Sequence, residues 1–171
     1  ILLYIAFRLQ FSFAVGAVIA TIHDLLVTFA FLAFFRYDLS LNVIAAILTV
    51  TGYSTNDTIV IFDRVRENVP ILRRMTASKI VNESLAETIT RSLNTSLVTL
   101  IPVVLLFAFG SGSLKDFAFA LIVGIASGAY SSIFIAAPIL AIFMEREPGF
   151  KKRRAELARA GDQEPIGAAA V

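Results

Sequence analysis

The sequence of 171 residues contains no cysteine and only one histidine. Without cysteine, disulfide bonds and thiolate metal sites are excluded, and a single histidine without repeated ligand spacing argues against another metal centre. Charged residues are also scarce: they make up 16% of the chain, whereas soluble proteins carry about 25%. Because 57% of the residues are hydrophobic, the composition is that of a membrane protein.

The short motifs of soluble enzymes are absent as well. The sequence contains no G-x-x-x-x-G-K-[ST], no G-x-S-x-G and no H-E-x-x-H, which mark nucleotide binding, serine hydrolases and zinc proteases. We therefore expect no hydrolytic activity and no cofactor, which leaves ion movement as the energy source for any work. The net charge is only +2, and the basic residues cluster beside apolar segments. This pattern predicts topology signals rather than a nucleic-acid surface.

Apolar segments alternate with short polar links, which predicts an all-α, polytopic helical bundle over residues 1–145. Crossing about 30 Å of hydrocarbon takes about 20 apolar residues in a helix. Because the chain opens inside an apolar run without a methionine, we expect it to be part of a longer protein. We predict membrane spans at 1–8 (partial), 11–35, 41–62, 92–110 and 117–144, and a basic, partly disordered tail at 146–171.

The segment 69–91 has a different pattern from the spans. Its apolar residues recur every three to five positions among charges, which predicts an amphipathic segment on the membrane surface, with Pro70 as a helix starter. We expect this segment to continue into the following span as one helix. Thirteen of the 15 lysines and arginines fall on the side of Arg8, loop 63–91 and the tail, which the positive-inside rule predicts to be cytoplasmic.

Asp57 is the most informative single residue. An ionised aspartate at the centre of a spanning helix costs roughly 2.5–3.5 kcal/mol on insertion scales, and such residues are usually functional. Asn42, Thr49 and Asn56 recur every seven residues around Tyr53, so we expect this polar stripe and Asp57 to face other helices rather than lipid. The alternative is that Asp57 is a helix-end acid that reaches the membrane interface and matters only for packing.

Two further charged positions accompany Asp57. Arg91 opens the next span, which is antiparallel to the first. We therefore predict that it points into the bundle and pairs with Asp57, either in direct contact or through a bridging water; the alternative is an arginine that only sets topology. His23 and Asp24 lie near the middle of their span. They could form a secondary proton relay, or His23 could bond a neighbouring helix while Asp24 pairs locally. Gly124 and Gly128 form a G-x-x-x-G pattern, which predicts close helix packing.

Three stretches of the chain together resemble a known family. Residues 52–68, with the sequence GYSTNDTIVIFDRVREN, resemble the signature of SecF, the smaller half of the SecD/SecF protein-export complex. Residues 20–24 (ATIHD) and 90–96 (TRSLNTS) match the same family. The resemblance covers residues 1 to about 145, whereas the tail matches nothing distinctive.

This resemblance implies membership of the resistance-nodulation-division superfamily, and therefore a bundle similar to half of such a transporter's membrane domain. It implies a multi-pass protein of the bacterial or archaeal cell membrane that acts with SecD, separate or fused, with the SecYEG channel and with a preprotein substrate. The proton-motive force would drive export, with protons as the coupling ion. The family's proton-site aspartate falls on Asp57 and its essential arginine on Arg91. We expect supporting polar residues at Tyr53, Asn56, Thr58, Asn94 and Thr95.

The resemblance also implies that the family's first helix and its periplasmic domain lie outside this sequence, so we expect the chain to correspond to the family's helices two (in part) to six. Two other functions are also compatible with a buried charge at Asp57. One is a proton-coupled efflux transporter for small molecules within the same superfamily, and the other is a non-conducting assembly partner of the translocon in which Asp57 is purely structural. A fused or neighbouring partner of the same fold would favour protein export over efflux.

Overall fold

The computed structural model describes residues 11–72, 75–146, 148–152 and 155. In these ranges the chain is helical and has no strand, which confirms the predicted all-α fold. The predicted partial span at 1–8 and most of the tail lie outside the described residues. The helices are α1 (Phe11–Phe34), α2 (Leu41–Ile71), α3 (Ala77–Phe109), α4 (Ser113–Ser131) and α5 (Ala137–Arg146), with a π-helical turn (Ser132–Ala136) between α4 and α5.

Helix α2 is longer than the span predicted at 41–62. It begins at Leu41 because the side chain of Ser40 accepts a hydrogen bond from the backbone N–H of Val43, at 3.4 Å. It then continues to Ile71, so the prediction that Pro70 starts a helix is wrong: Pro70 lies in the last turn of α2. The helix extends past the apolar segment because Val65 and Asn68 are buried against the rest of the bundle.

Helix α3 joins the predicted amphipathic segment to the following span, as expected. Its first turns do not form a separate surface helix, because Ile80 and Val81 are buried in the core. At about 1.5 Å per residue, a helix of this length is about 50 Å long and exceeds the hydrocarbon thickness of about 30 Å. One end of α3 must therefore project beyond the membrane, and its N-terminal part carries the charges.

Two backbone positions with positive φ shape the connections. Just after α1, Arg36 has φ 58°, and the N–H of the next residue, Tyr37, donates to the carbonyl of Leu32 at 3.0 Å. This is the αL helix end that normally favours glycine, so Arg36 is strained there. Gly112, at φ 56°, supplies the same freedom between α3 and α4.

Helix α4, the π-helical turn and α5 form one continuous rod from Ser113 to Arg146. The wider turn lies next to Pro138, which has no N–H and whose ring crowds the carbonyl one turn earlier, so the backbone departs from α geometry there. Three described helical segments are long and apolar enough to cross a membrane: Phe13–Phe34, Ala77–Phe109 and Ser113–Arg146. Helix α2 is not among them because its polar centre lowers the mean hydropathy, so its predicted span stays a prediction.

The core has two apolar layers with a polar layer between them. One apolar layer surrounds Phe62, Ile80 and Leu140, and the other surrounds Leu32 and Val50. Between these layers, each of the four long helical segments contributes buried hydroxyl or carboxyl groups. The polar layer contains Thr21, Asp24 and Thr28 of α1; Ser54, Thr55 and Thr58 of α2; Ser84, Thr88, Ser92 and Ser96 of α3; and Ser127, Ser131 and Ser132 of the rod.

Helix α4 packs against α1, α2 and α3, and its contact with α2 is the most extensive in the bundle. The prediction from the G-x-x-x-G pattern is confirmed. A Cβ atom at Gly124 would lie 2.2 Å from Cγ2 of Val50, and one at Gly128 would lie 3.2 Å from Cβ of Ser54. The two glycines thus let α4 approach α2 closely. At this distance, hydroxyl groups of both helices can reach the same carboxylate, that of Asp24.

Candidate functional site

Asp57 points into the bundle, as predicted, and is partly buried between α2 and α3. The hydroxyl of Ser92 donates to this carboxylate and lies 2.6 Å from each of its two oxygens. Ser132 of the π-helical turn also lies within reach of Asp57. A hydroxyl can both donate and accept, so the same partners suit the ionised and the protonated carboxyl.

Ser92 was not singled out in the sequence, although a signal was present. Ser84, Thr88, Ser92 and Ser96 recur every four residues, and this spacing places them on one face of α3. All four are buried. A hydroxyl at every turn along one face of a helix predicts that this face packs against polar groups of another helix.

The predicted ion pair between Asp57 and Arg91 does not form. Both residues are described, and no salt bridge joins them; Arg91 is exposed. Consecutive residues of a helix point about 100° apart, so the side chain that meets Asp57 is that of Ser92 and not that of its neighbour. Arg91 instead lines an open cleft of about 420 Å³ with Val60, Asp63, Arg64, Glu67, Glu87 and Thr88.

The charged wall of this cleft is internally paired. The guanidinium of Arg64 donates to Glu87 at 2.6 Å and to Glu67 at 2.9 Å. The buried Asn68 also donates to Glu87, at 2.8 Å. The hydrogen bond to Glu87, followed by that to Glu67, raises the pKa of the Arg64 guanidinium above its ordinary value. The contacts of Arg64 and Asn68 with Glu87 join the C-terminal part of α2 to α3.

The predicted supporting residues divide into two groups. Thr58 is buried and its hydroxyl is 3.0 Å from that of Ser132, and the hydroxyl of Tyr53 bonds that of Thr99. In contrast, Asn56, Asn94 and Thr95 are exposed on the outer face of α2 and α3. The stripe Asn42, Thr49 and Asn56 is exposed as well, so helices of this chain do not cover it, and the expectation that it faces other helices stays a prediction.

Asp24 is the most enclosed of the described carboxylates, with 1% of its surface exposed. One oxygen accepts hydrogen bonds from Ser54 of α2 at 2.5 Å and from Ser131 of α4 at 2.7 Å. The other accepts from Ser127 of α4 at 2.8 Å, and Nδ1 of His23 lies 3.3 Å away. Asp24 thus joins three helices, which goes beyond the local pairing considered from the sequence.

A small cavity lies between the two carboxylate sites. It measures about 10 Å³ and is lined by Tyr53, Ser54, Asp57, Ser96, Ile125, Gly128 and Ala129. Such a volume is about what one water molecule needs. Ser54, whose hydroxyl donates to Asp24, thus lines the same cavity as Asp57. Among the described residues, no cluster of three potential ligands could hold a metal ion.

This fold and site define a class of protein: a multi-pass helical bundle that holds two carboxylates in a layer of hydroxyl groups. Residues 1–146 match the family described as protein export membrane protein SecD/SecF, C-terminal. The chain therefore belongs to the SecD/SecF family.

Individual relatives agree with this assignment. The chain is 46% identical over 152 residues to the protein translocase subunit SecF of Petrotoga mobilis, covering 89% of this chain and 50% of that protein. It is 43% identical over 164 residues to the protein translocase subunit SecDF of Brucella abortus, covering 96% of this chain and 21% of that protein. The chain thus spans about half the length of its SecF relatives.

The fold has a counterpart among solved structures. The crystal structure of SecDF, a translocon-associated membrane protein from Thermus thermophilus, matches with a TM-score of 0.81 and 40% identity. The match covers 85% of this chain and 20% of that one.

Proposed function

We propose that this chain is the proton-conducting part of a Sec protein translocase subunit that uses the proton-motive force to promote preprotein export. The observation that carries the proposal is Asp57, a carboxylate held by Ser92 in a polar layer between two apolar layers. A static bundle has no need of a carboxyl group at such a place, because its burial is costly. The same fold and site would also serve efflux of small molecules, but the relatives are named as protein translocase subunits.

In this proposal, Asp57 carries the proton. Its ionised form accepts the hydrogen bond from Ser92, whereas its protonated form can donate to the same hydroxyl. Proton uptake removes a charge from the α2–α3 contact and changes the hydrogen bonds that join these helices, which is how proton flow would be coupled to helix movement. Arg91 acts from the adjacent cleft, through which protons reach Asp57, rather than by direct pairing.

Partner and orientation belong to the same proposal. The exposed polar residues Asn56, Asn94 and Thr95 would be costly against lipid, so we assign this face of α2 and α3 to contact with SecD. The segment 63–91, with the end of α2 and the start of α3, faces the cytoplasm together with the tail, and the complete protein acts with the SecYEG channel on a preprotein. The energy comes from proton movement and not from hydrolysis.

The role of Asp57 is tested by Asp57→Asn in the full-length protein with its SecD partner. The change keeps the side-chain volume and removes the titratable group. We expect the stimulation of preprotein export by a proton gradient to fall to the level measured without a gradient. Asp38→Asn, in the exposed link between α1 and α2, is the matched control and should export normally. Full stimulation in Asp57→Asn at normal protein level would refute proton coupling through this residue.

The partner face is tested by site-directed cross-linking, which the absence of cysteine in this chain makes straightforward. We expect Asn94→Cys to form a cross-link to single cysteines in the spanning helices of SecD. Leu26→Cys is the control, because Leu26 is exposed on α1, and α1 and α3 make no extensive contact with each other. If the control but not Asn94→Cys forms a cross-link, SecD does not contact the face of α2 and α3 that we assign to it.

A further inference from the structure

Asp24 is a buried carboxylate that has no role in the function proposed for Asp57. It is held by hydroxyl groups from two neighbouring helices, and among the described residues its only titratable hydrogen-bond neighbour is His23 of its own helix. No described lysine or arginine pairs with it. A carboxylate kept only to join helices would be costly at this depth, whereas hydroxyl partners can serve both of its protonation states.

The cavity between Asp57 and Ser54 supplies the connection. Ser96 lines this cavity, is 8% exposed and makes no hydrogen bond to any other described residue. Its three counterparts along α3 all donate hydrogen bonds: Ser84 to Ile80, Thr88 to Ser84 and Ser92 to Asp57. Buried hydroxyl groups are rarely left unpaired, and the cavity has room for about one water molecule. A water there would bond Ser96, Asp57 and Ser54.

We propose that Asp24 is a second proton-carrying residue of the site, which exchanges a proton with Asp57 through one water molecule and the hydroxyl of Ser54. This inference rests on the proposed proton-carrying role of Asp57.

The transfer balances in protons and charge. The protonated carboxyl of Asp57 gives its proton to the water, which passes one of its own protons to the oxygen of Ser54. Ser54 in turn releases its hydroxyl proton to the Asp24 oxygen 2.5 Å away. Asp57 ends ionised and Asp24 neutral, and Ser127 and Ser131 keep Asp24 in position. Once Asp24 has released this proton, rotation of the Ser54 hydroxyl and of the water returns both to their starting orientation.

The titratable groups around the path are few in the described part of the chain. His23 lies beside Asp24 on α1, and its ring is 6.4 Å from that of Tyr130 on α4. From α2, Asp57 and Tyr53 line the cavity, and α3 contributes only the hydroxyl of Ser96 there. Infrared spectroscopy can therefore assign the protonated carboxyl bands by removing one acid at a time.

The first measurement is infrared difference spectroscopy of the full-length protein with its SecD partner in lipid vesicles, as the pH is lowered. We expect a carbonyl band of a protonated carboxylic acid that is lost in Asp24→Asn and kept in Asp57→Asn. If no such band depends on Asp24 at any pH at which the protein is folded, Asp24 stays ionised and the inference is wrong. The role of Asp57 would still stand, because Asp57→Asn tests it separately.

The second measurement tests the connection with variants that keep both acids. Ser54→Ala should retain both carboxyl bands, yet its gradient-driven export should fall toward that of Asp57→Asn. The matched control is Thr55→Ala, because Thr55 is also buried but its hydroxyl bonds only to the carbonyl of Thr51 in its own helix. Equal export by the Ser54 and Thr55 variants would overturn the path through Ser54. The thermal stability of each variant shows whether it has folded, and Ser96→Ala offers a second test of the water.

Discussion

The contact between α2 and α4 decides whether the polar layer can form, and Gly124 tests it directly. Gly124→Ala would place a Cβ atom 2.2 Å from Cγ2, 2.5 Å from Cγ1 and 2.9 Å from Cβ of Val50. Carbon atoms in contact normally lie about 3.5–4.0 Å apart. Val50 is completely buried and cannot turn into solvent. The two helices would therefore have to separate by more than about 1 Å.

The cost follows from the neighbouring contacts. Overpacking of a filled core costs about 1–3 kcal/mol. One turn further along, Ser54 of α2 and Ser127 of α4 donate to Asp24, and separation of the helices would break at least one of these bonds. A hydrogen bond to a charged group contributes about 1.5–3 kcal/mol. Together these losses lower the free energy of unfolding by about 2.5–6 kcal/mol.

The measurement is the thermal unfolding midpoint of the purified full-length protein in detergent. At about 2–4 °C per kcal/mol for a chain of this size, Gly124→Ala should lower Tm by at least about 5 °C. The control is Gly52→Ala, since a Cβ there would meet nothing within 4 Å and alanine is the better helix former by about 1 kcal/mol. Val50→Ala in the Gly124→Ala background should restore part of the loss. An unchanged Tm for Gly124→Ala would refute the close contact.

Two further predictions concern stability and use the same unfolding assay. Arg36→Gly should raise the free energy of unfolding by about 0.5–1 kcal/mol, because Arg36 has φ 58° and the left-handed conformation costs about 1–2 kcal/mol for residues with a Cβ atom, partly offset by the entropy of glycine; a lower Tm would contradict this. Phe62→Ala should cost about 3–5 kcal/mol, because Phe62 is fully buried and packs edge-on against Phe13 at 5.4 Å. Phe109→Ala, at an 85% exposed position, should change Tm little, and equal losses for both phenylalanines would refute the assignment of the core.

The helices and the inward position of Asp57 could be predicted because they depend on local properties of the sequence. Apolar runs indicate where helices lie, and a costly carboxylate in an apolar segment indicates a protected place. The helical spacing of Gly124 and Gly128 likewise predicted the close contact with another helix. The continuation of α2 past Phe62 could not be foreseen, because it depends on the burial of Val65 and Asn68 by other helices.

The sequence by itself therefore determined the class of fold, the family and the residue on which the proposed function depends. Only the tertiary structure decided which partners meet: Ser92 rather than Arg91 lies against Asp57, Asn56 and Asn94 face outward, and Asp24 joins three helices. The physical reason is that periodicity groups residues onto one face of a helix but does not say which face another helix will cover. Which face is covered depends on how closely two helix backbones can approach. In this bundle, Gly124 and Gly128 of α4 allow the close approach to α2.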